Sequence, residues 1–557
     1  MEHTDVNLYP TAVLLSSLED EWLQNPAFRF FGKRLITEQS LPEFLNELLL
    51  ILFSSKRLAN TPHTPFESCF PPREILAMRG GHCLEYTPSA HLNLKLFAFF
   101  GASRLDARHK MHRDHFESLQ HWLYSRIQTE SDQDKSIIIR DLEKLFLGLR
   151  SVGDGRTWCA QQFLPLCQNL LTTETIWNEK ESIRNPVQNW AESLEVTSKY
   201  WSINRHRFMA RGGDVLYYQL CLALSQTKDH ILQWSNEAGL GLSPEECDPE
   251  GLHKDLEQAL QGMLGKRSGL DALAALISDL ETETAARTDH DRWGERRYQS
   301  MGWCSAESWR EGYLFAVELL RILHAEVDIM DRLILLETAC GLHILRTLAA
   351  RTAALTRQPL PWPGYLLPIT APEEKNITLR AVSQHACKRL RTMQERLILD
   401  QLPHCTFEPK NKGDGSPAAL EAAKKKYLGD EVSKKYVAGL FSSLAKNYLG
   451  LIVPRTGSGE RFVLSERVLR LLVLTLVPAQ GHLSLDRFKA RARAWHGFVF
   501  DAEGFEDTQR WLTGRTAIFP TRCDAWLRDV LEDGNFLIHL SDACSLVHNP
   551  IAERQEA

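Results

Sequence analysis

Apolar residues recur at helical spacing along most of the chain. Segment 41–53 shows this most plainly, because its apolar residues cover every face of a helix and so predict a buried one. Strand-like alternation is sparse before residue 400. The pattern predicts a mainly α protein whose first two-thirds form a multi-helical body. The same spacing predicts helices in 137–149, 161–171, 208–234 with Asp214 as a cap, 252–284, and 311–355 as two helices joined near 328–331.

Prolines, glycines and polar runs divide this helical pattern. Five prolines fall between residues 356 and 375, and 409–418 has the composition of a flexible linker. We therefore predict five segments. They are a helical N-terminal domain at 1–205, a helical middle domain at 206–358, a Pro-rich and flexible linker region at 359–418, a winged-helix-like domain at 419–482, and a second winged-helix-like or helical C-terminal domain at 483–557.

The pattern of positions changes after residue 418. Helices are predicted at 418–427 and 431–448, followed by β-type runs at 451–453 and 461–464 that flank Thr-Gly-Ser-Gly. Helix, helix, hairpin is the order of a winged helix, in which the second helix enters the DNA major groove and the hairpin contacts the backbone. The order is predicted to occur twice. The second set of helices falls at 484–496, 503–513 and 521–532, before an alternating, hairpin-like ending.

Composition fits an ordinary globular protein. The 557 residues are 43% hydrophobic and 24% charged, with a net charge of −6. Residues 1–20 lack the basic start and apolar core of a secretory signal, and the longest apolar runs are far shorter than the roughly 20 residues that span a bilayer. The twelve cysteines are dispersed without a Cys-x-x-Cys pair, which argues against a disulfide scaffold or a zinc site. We expect a soluble, cytoplasmic protein without membrane contact.

Positive charge is concentrated in one window of the C-terminal third. Between residues 424 and 499 the chain has 14 Lys and Arg against five Asp and Glu, a local charge of +9. Such a basic surface predicts contact with the backbone of double-stranded DNA. Because many winged helices pack against proteins and lysines often line a solvated face, protein docking stays open as an alternative. The residues predicted to bind DNA are Lys434, Lys435, Lys446, Arg455, Arg461, Arg487, Lys489, Arg491 and Arg493.

Three histidines, His109, His112 and His115, form the most conspicuous chemical cluster. A spacing of three residues brings neighbours within reach on a helix, but the first and third diverge. No glutamate occupies the position between them that a His-Glu-x-x-His zinc site uses as a base. We predict no metal site, and metal binding by these histidines stays an open alternative.

Other groups of acidic residues fall short of an active site. Residues 289–291 (Asp-His-Asp) resemble part of a two-metal phosphohydrolase set, but partners for them are not identifiable. Asp400 with Glu408 and Lys410 has the letter order of a restriction-type nuclease, but Pro409 removes a donor from the strand that must carry the motif. No glycine pair continues into the Gly-Lys-Ser/Thr of a phosphate-binding loop. We therefore predict no catalytic residue and no cofactor.

Three stretches of the chain resemble uncharacterised helical accessory or DNA-binding subunits encoded in bacterial anti-phage defence operons. They are 210–224, 331–349, and 450–477 with its distant companion 540–550. The resemblance covers about 200–550 and transfers no catalytic residue. It implies a DNA-engaging or scaffolding subunit that works beside other subunits of the operon, an ATPase or a nuclease, which perform the chemistry.

These observations lead to three hypotheses of function. The first is a non-catalytic DNA-binding and scaffolding subunit of a multi-protein, restriction-like defence complex. The second is a protein–protein adaptor whose winged helices bind partner subunits. The third, least favoured, is a metal-dependent nuclease hidden in the helical body.

Overall fold

Helices dominate the structure. Over the described residues the protein is 61% helix and 8% strand, which confirms the prediction of a mainly α fold. The structure, a computed structural model, describes residues 25–58, 65–72, 75–76, 84–104, 110–151, 155–177, 184, 201–202, 212–264, 268–278, 299–301, 304–405, 407, 416–541 and 544–553.

The N-terminal part combines short helices with small antiparallel strand pairs. Its elements are α1 (Pro26–Phe31), α2 (Leu41–Leu52), β1 (Lys56–Leu58), β2 (Leu84–Tyr86), α3 (Leu92–Phe99), α4 (Lys110–Arg126), α5 (Asp132–Gly148), β3 (Ile176–Trp177) and β4 (Trp201–Ser202). Strand β2 lies between β1 and a later strand, β5 (Gln299–Ser300), while β3 pairs with β4. A separate apolar cluster holds α3, α4 and α5 together, with Phe97 and Phe146 in edge-to-face contact.

The middle of the chain forms a helical bundle. Its helices are α6 (Gly212–Leu224), α7 (Lys228–Ala238), α8 (Pro249–Leu264), α10 (Trp309–His324) and α11 (Ile329–Leu355), while α9 (Gly269–Ser278) packs with α3 in the N-terminal cluster. The predicted pair of helices in 311–355 is confirmed. Asp328 separates them, because its side chain accepts hydrogen bonds from the backbone N–H groups of Met330 and Asp331 and so caps α11.

Helix α6 begins in close contact with α2. The N–H of Gly213 donates to Glu47 Oε2 at 2.9 Å, and a Cβ atom at Gly213 would lie 2.7 Å from Glu47 Cβ. Only glycine permits this approach. The expected cap, Asp214, instead lies inside the first turn and is buried. The side chain that accepts a backbone N–H at the start of α6 is therefore Glu47 of α2, 166 residues away in sequence.

Helix α11 is the longest element and lies in the core. In the part of the chain that the structure describes, it is the one helix long and apolar enough to cross a membrane. However, 89% of its most apolar window is buried inside the protein. Its apolar surface is therefore covered by other helices of the bundle, as expected for a core helix.

Charged side chains are buried where α10 and α11 meet. Arg346 donates to both carboxylate oxygens of Glu318 at 2.7 and 2.9 Å, and each side chain is 1% exposed. His343 lies beside them, with Nε2 2.7 Å from Gln219 Oε1 and Nδ1 3.2 Å from Arg346 Nη2. Burial and then the charge of Arg346 lower the pKa of His343 well below its ordinary value, so the imidazole is neutral.

The predicted linker region contains a helix of 23 residues. The elements that follow the bundle are β6 (Leu367–Pro368), α12 (Ile377–Leu399), α13 (Pro417–Lys426), α14 (Lys434–Tyr436), α15 (Ala438–Ser443), β7 (Ile452–Val453), β8 (Arg461–Phe462) and α16 (Glu466–Leu476). A π-helical turn, Tyr427–Ser433, joins α13 to α14, and a second, Leu444–Tyr448, extends α15, so that the helical run continues from α13 with a bend at Val437. The predicted hairpin is confirmed, since β7 and β8 pair antiparallel.

The C-terminal end carries a three-stranded antiparallel sheet. Its elements are β9 (His482–Ser484), α17 (Leu485–His496), β10 (Phe498–Val499), α18 (Ala502–Thr513), α19 (Ala525–Asp533), β11 (Leu537–Ser541) and β12 (Cys544–His548). Strand β12 is central, between β9 and β11. Strand β10 pairs in parallel with β6, which ties the start of the Pro-rich segment to this end of the protein.

One apolar cluster runs through most of the protein. It extends from Ala27 to Val547 and includes Tyr365 and Leu390 from the predicted linker region. The C-terminal elements are therefore packed on the helical bundle, and Trp495 marks this contact by donating from its indole to Leu240 O at 2.9 Å.

The prediction of a helix at 161–171 is wrong. The structure has two single-turn 3₁₀ helices in this region, Trp158–Ala160 and Gln168–Leu170, with extended backbone between them. Pro165 explains the difference, because a proline in a helix interior removes a donor and clashes with the preceding turn. The apolar residues of this segment enter the N-terminal cluster from a loop.

Candidate interaction surfaces

The β7–β8 hairpin presents Arg455 at its exposed tip. Gly457 and Gly459 adopt φ values of 99° and 84°. These conformations allow the turn, as the Thr-Gly-Ser-Gly sequence predicts. Arg455 is exposed and makes no ion pair with any described residue.

The two lysines of the predicted recognition helix are paired with acids of their own helical run. Lys434 contacts Asp430 at 2.6 Å, and Lys435 contacts Glu431 at 2.9 Å. Both pairs have the i, i+4 spacing, and both raise the pKa of the lysine through hydrogen bonds. Lys434 still has 72% of its side chain exposed.

Three of the predicted DNA contacts are held inside the fold. Lys446 binds Glu460, which also binds Arg391. Arg461 is buried and donates to Pro372 O. Arg491 donates to the carbonyl oxygens of Leu476 and Gly241, so its guanidinium connects the C-terminal elements with the bundle.

Acids from several elements surround the basic face of α17. Lys489 lies within 3.5 Å of Asp486, Asp501 and Asp524. Burial alone would lower the pKa of Lys489, but hydrogen bonds to Asp524 and Asp486 outweigh it and raise the pKa to about 12.

Arg487 and Arg493, which lie near the two ends of α17, differ from each other in their acidic partners. Arg493 contacts Asp507 at 2.7 Å, whereas Arg487 is exposed and makes no ion pair with the described part of the chain. Among the nine predicted contacts, Arg455 and Arg487 are the exposed cations that have no acidic partner in the described part of the chain, and they lie on different elements. The structure does not collect the nine residues at one open site.

Acidic residues dominate the exposed side of α19. Leu527 and Leu531 face the core, while Asp529, Glu532 and Asp533 are exposed. Because this helix immediately precedes the β11–β12 hairpin, its exposed side and the hairpin are neighbours. Glu532 Oε2 and His539 Nε2 are 3.5 Å apart across that junction.

Strand β11 forms an edge of the C-terminal sheet. It pairs with β12 on one side, and no strand among the described residues pairs with the other. Ile538 and Leu540 expose 41% and 61% of their surface along it. An edge strand with exposed apolar residues is a template for pairing with another chain.

The structure describes two of the three clustered histidines, His112 and His115. Rings of Phe100, Trp158 and Trp177 surround His112, which is buried. Burial lowers the pKa of His115 to about 4. Within the described ranges no group of three or more His, Cys, Asp or Glu is placed to hold a metal. His109, residues 289–291 and residues 408–410 lie outside the described residues.

Comparisons with protein-family models, with curated proteins and with solved structures give no match for this chain.

Proposed function

We propose that this protein is a non-catalytic scaffolding subunit, and that its C-terminal elements form a winged-helix-like unit that docks a partner protein. The order α16, β9, α17, α19, β11, β12 supports this proposal, as does the sheet order β11–β12–β9. In this unit α19 takes the position of the recognition helix and β11–β12 that of the wing. Helix α18 and strand β10 are an insertion between its helices.

The negative charge exposed on α19 is the observation that favours a protein partner over DNA. A recognition helix for DNA presents cations to the phosphates. Helix α19 instead exposes Asp529, Glu532 and Asp533, with Arg528 as its one basic residue. These acids would repel a duplex, so the helix suits a protein surface that contributes basic side chains.

The exposed apolar pair on β11 supports the same choice. Ile538 and Leu540 are exposed on the edge strand that follows the acidic helix, and His539 between them lies 3.5 Å from Glu532. Protein interfaces combine an apolar centre with a polar rim in this way. The resemblance to subunits of defence operons suggests a bacterial anti-phage complex as the setting.

DNA contact is the second candidate function. It is favoured by the exposed Arg455 at a hairpin tip and by the exposed Lys434, the positions from which a winged helix touches phosphate oxygens. If both functions operate, they use different surfaces, because these two cations lie on elements that precede α16.

The proposal predicts that two charge-reversal variants separate the functions. Asp529→Lys with Glu532→Lys should abolish co-purification of partner subunits with the full-length protein from its native host. Lys434→Glu with Arg455→Glu should leave co-purification intact. Quantitative mass spectrometry of the purified complexes measures the first effect, and gel shifts of a short DNA duplex at low salt measure any loss of DNA binding.

The opposite pattern would contradict the proposal. In that pattern, DNA binding would be salt-sensitive and would be lost in the variant with Lys434→Glu and Arg455→Glu. Recovery of partner subunits would be unchanged in the variant with Asp529→Lys and Glu532→Lys. That result would establish the DNA-binding candidate instead.

A further inference from the structure

A groove runs along one stripe of α12, far along the chain from the α19 surface. It has a volume of about 670 Å³. Its other wall is made by the end of α11 and the end of α18, where Leu355 and Leu512 lie. The lining stripe of α12 extends from His385 to Asp400, about 22 Å at the α-helical rise. The groove is therefore long and narrow, with the dimensions of about four helical turns.

The floor of the groove is apolar. Met393 and Leu397 project from α12, each 9% exposed, and Leu512 faces them from α18. An amphipathic helix that docks in a groove places its own i, i+4 and i+7 side chains on an apolar floor. Methionine adapts its shape to different anchors, which suits a docking floor.

The rim of the groove is basic. Lys388 and Arg396 are exposed along it, with His385 at one end, and the lining contains a single acid, Asp400. Neither Lys388 nor Arg396 makes an ion pair with a described residue. By contrast, seven of the 14 cations between residues 424 and 499 pair with acids of the same chain.

A third cation holds the wall in place. Arg389 donates to Gln358 Oε1 at 3.0 Å, and its guanidinium lies 4.8 Å from the ring centre of Trp511. The indole of Trp511 donates to the same Gln358 oxygen at 3.1 Å. These contacts connect α12, the segment after α11, and α18. The two free cations are thus carried on a wall that is already ordered before anything binds.

We propose that this groove binds an acidic amphipathic helix of a partner protein. The apolar floor receives one stripe of the partner helix, and the carboxylates flanking that stripe pair with Lys388 and Arg396. Complementary charge favours a peptide rich in Asp and Glu over any basic or neutral segment. The surface is separate from α19 and does not depend on the function proposed for that helix.

A peptide-binding experiment tests the proposal on the full-length protein. The probe is a fluorescein-labelled helical peptide of about 15 residues, with leucine on one stripe and glutamate elsewhere. Fluorescence anisotropy should show saturable binding that salt weakens. Lys388→Glu with Arg396→Glu should weaken it about tenfold or more. Lys425→Glu with Lys426→Glu on exposed positions of α13 changes the net charge equally and should leave the affinity unchanged.

Two further arms make the result decisive. A Met393→Glu variant, shown to be folded by its circular dichroism, should also lose binding, because the floor would then carry a carboxylate. A scrambled peptide of the same composition should bind weakly. Equal binding of the scrambled peptide would mean that the surface attracts any anion, and equal loss in the α13 variant would mean that only net charge matters. Either result would overturn the proposal.

Discussion

At the scale of single residues, the most consequential contact is the buried ion pair between Glu318 and Arg346. Removing two charges from water is costly, and the pair is stable only because both carboxylate oxygens accept hydrogen bonds. His496 Nε2 lies 3.3 Å from Glu318 Oε1. Burial and then Arg346 lower the pKa of His496 well below its ordinary value. Neither imidazole therefore adds a positive charge beside the ion pair.

Breaking this pair from one side should destabilise the protein strongly. We expect Glu318→Ala to lower the free energy of unfolding by about 3–5 kcal/mol, because the Arg346 guanidinium would remain buried without its counter-charge. Urea unfolding followed by tryptophan fluorescence measures the change. Asp430→Asn, which breaks an exposed pair, is the control and should leave the unfolding midpoint unchanged. Equal effects of the two variants would show that burial does not matter at this pair.

The net charge of residues 424–499 shows what a count of charges along the sequence does not predict. The +9 between residues 424 and 499 counts only acids within the window. Arg467, Arg470 and Arg493 pair with Glu337, Asp331 and Asp507, which all lie outside it. A count along the sequence does not register ion pairs made across the fold. The candidate surfaces that the structure presents, α19 and the α12 groove, consequently went unpredicted.

At the scale of elements, helix starts follow their capping residues. Asp328 and Ser484 each accept a backbone N–H at the start of a helix that the sequence predicts. The β7–β8 hairpin is equally local, since its glycines specify the turn. Elements of this kind were predictable because their signals lie within a few residues of each other.

The cap of α11 offers a test at this scale. Asp328→Ala should lower the free energy of unfolding by about 1 kcal/mol, since two N–H groups at the start of the core helix lose their acceptor. Asp328→Asn keeps an acceptor oxygen and should retain most of the stability. Thermal unfolding compares the variants. If alanine and asparagine had the same effect, the charge at the helix start would matter more than the hydrogen bonds.

Helix α12 was missed although its signal was present. Leu379, Val382, Ala386 and Leu390 are buried and recur at helical spacing. A linker region was predicted here instead, because prolines precede the helix and a polar run follows it. The groove on α12 was beyond sequence reasoning for another reason, because its far wall comes from Leu512, more than 100 residues later.

At the scale of the whole molecule, buried thiols are a shared property of distant parts of the fold. The ten cysteines whose surroundings are described are free and buried. Burial raises the pKa of Cys69, Cys167 and Cys221 to about 12. An unfolded thiol ionises near pH 8.5. The unfolded chain therefore releases protons above that pH while the folded protein keeps them, and stability falls as pH rises.

Stability should accordingly decline from about pH 8.5 upward. Each of these thiols contributes a loss of at most about 1.4 kcal/mol per pH unit. Two buried lysines oppose this trend, because burial lowers the pKa of Lys56 and of Lys95 to about 8. In the folded protein they lose their protons at a lower pH than in the unfolded chain, so they raise the free energy of unfolding as pH increases. The buried thiols with a raised pKa outnumber these two lysines. Urea midpoints at pH 7.5, 9 and 10 under reducing conditions should fall steadily, and a constant or rising midpoint would contradict the burial of the thiols.

The apolar cluster that extends from Ala27 to Val547 has a consequence for synthesis of the chain. At about 5–20 residues per second, roughly half a minute to two minutes separate the emergence of its first and last residues from the ribosome. Helix α2 can pack on α6 and α11 once these helices have emerged, but the surface that Trp495 and its neighbours cover stays open until the C-terminal elements follow. A nascent chain in that interval exposes apolar groups that the finished protein buries. Cells that produce the protein in quantity are therefore expected to hold these chains on chaperones until the residues around Trp495 and Val547 have been made.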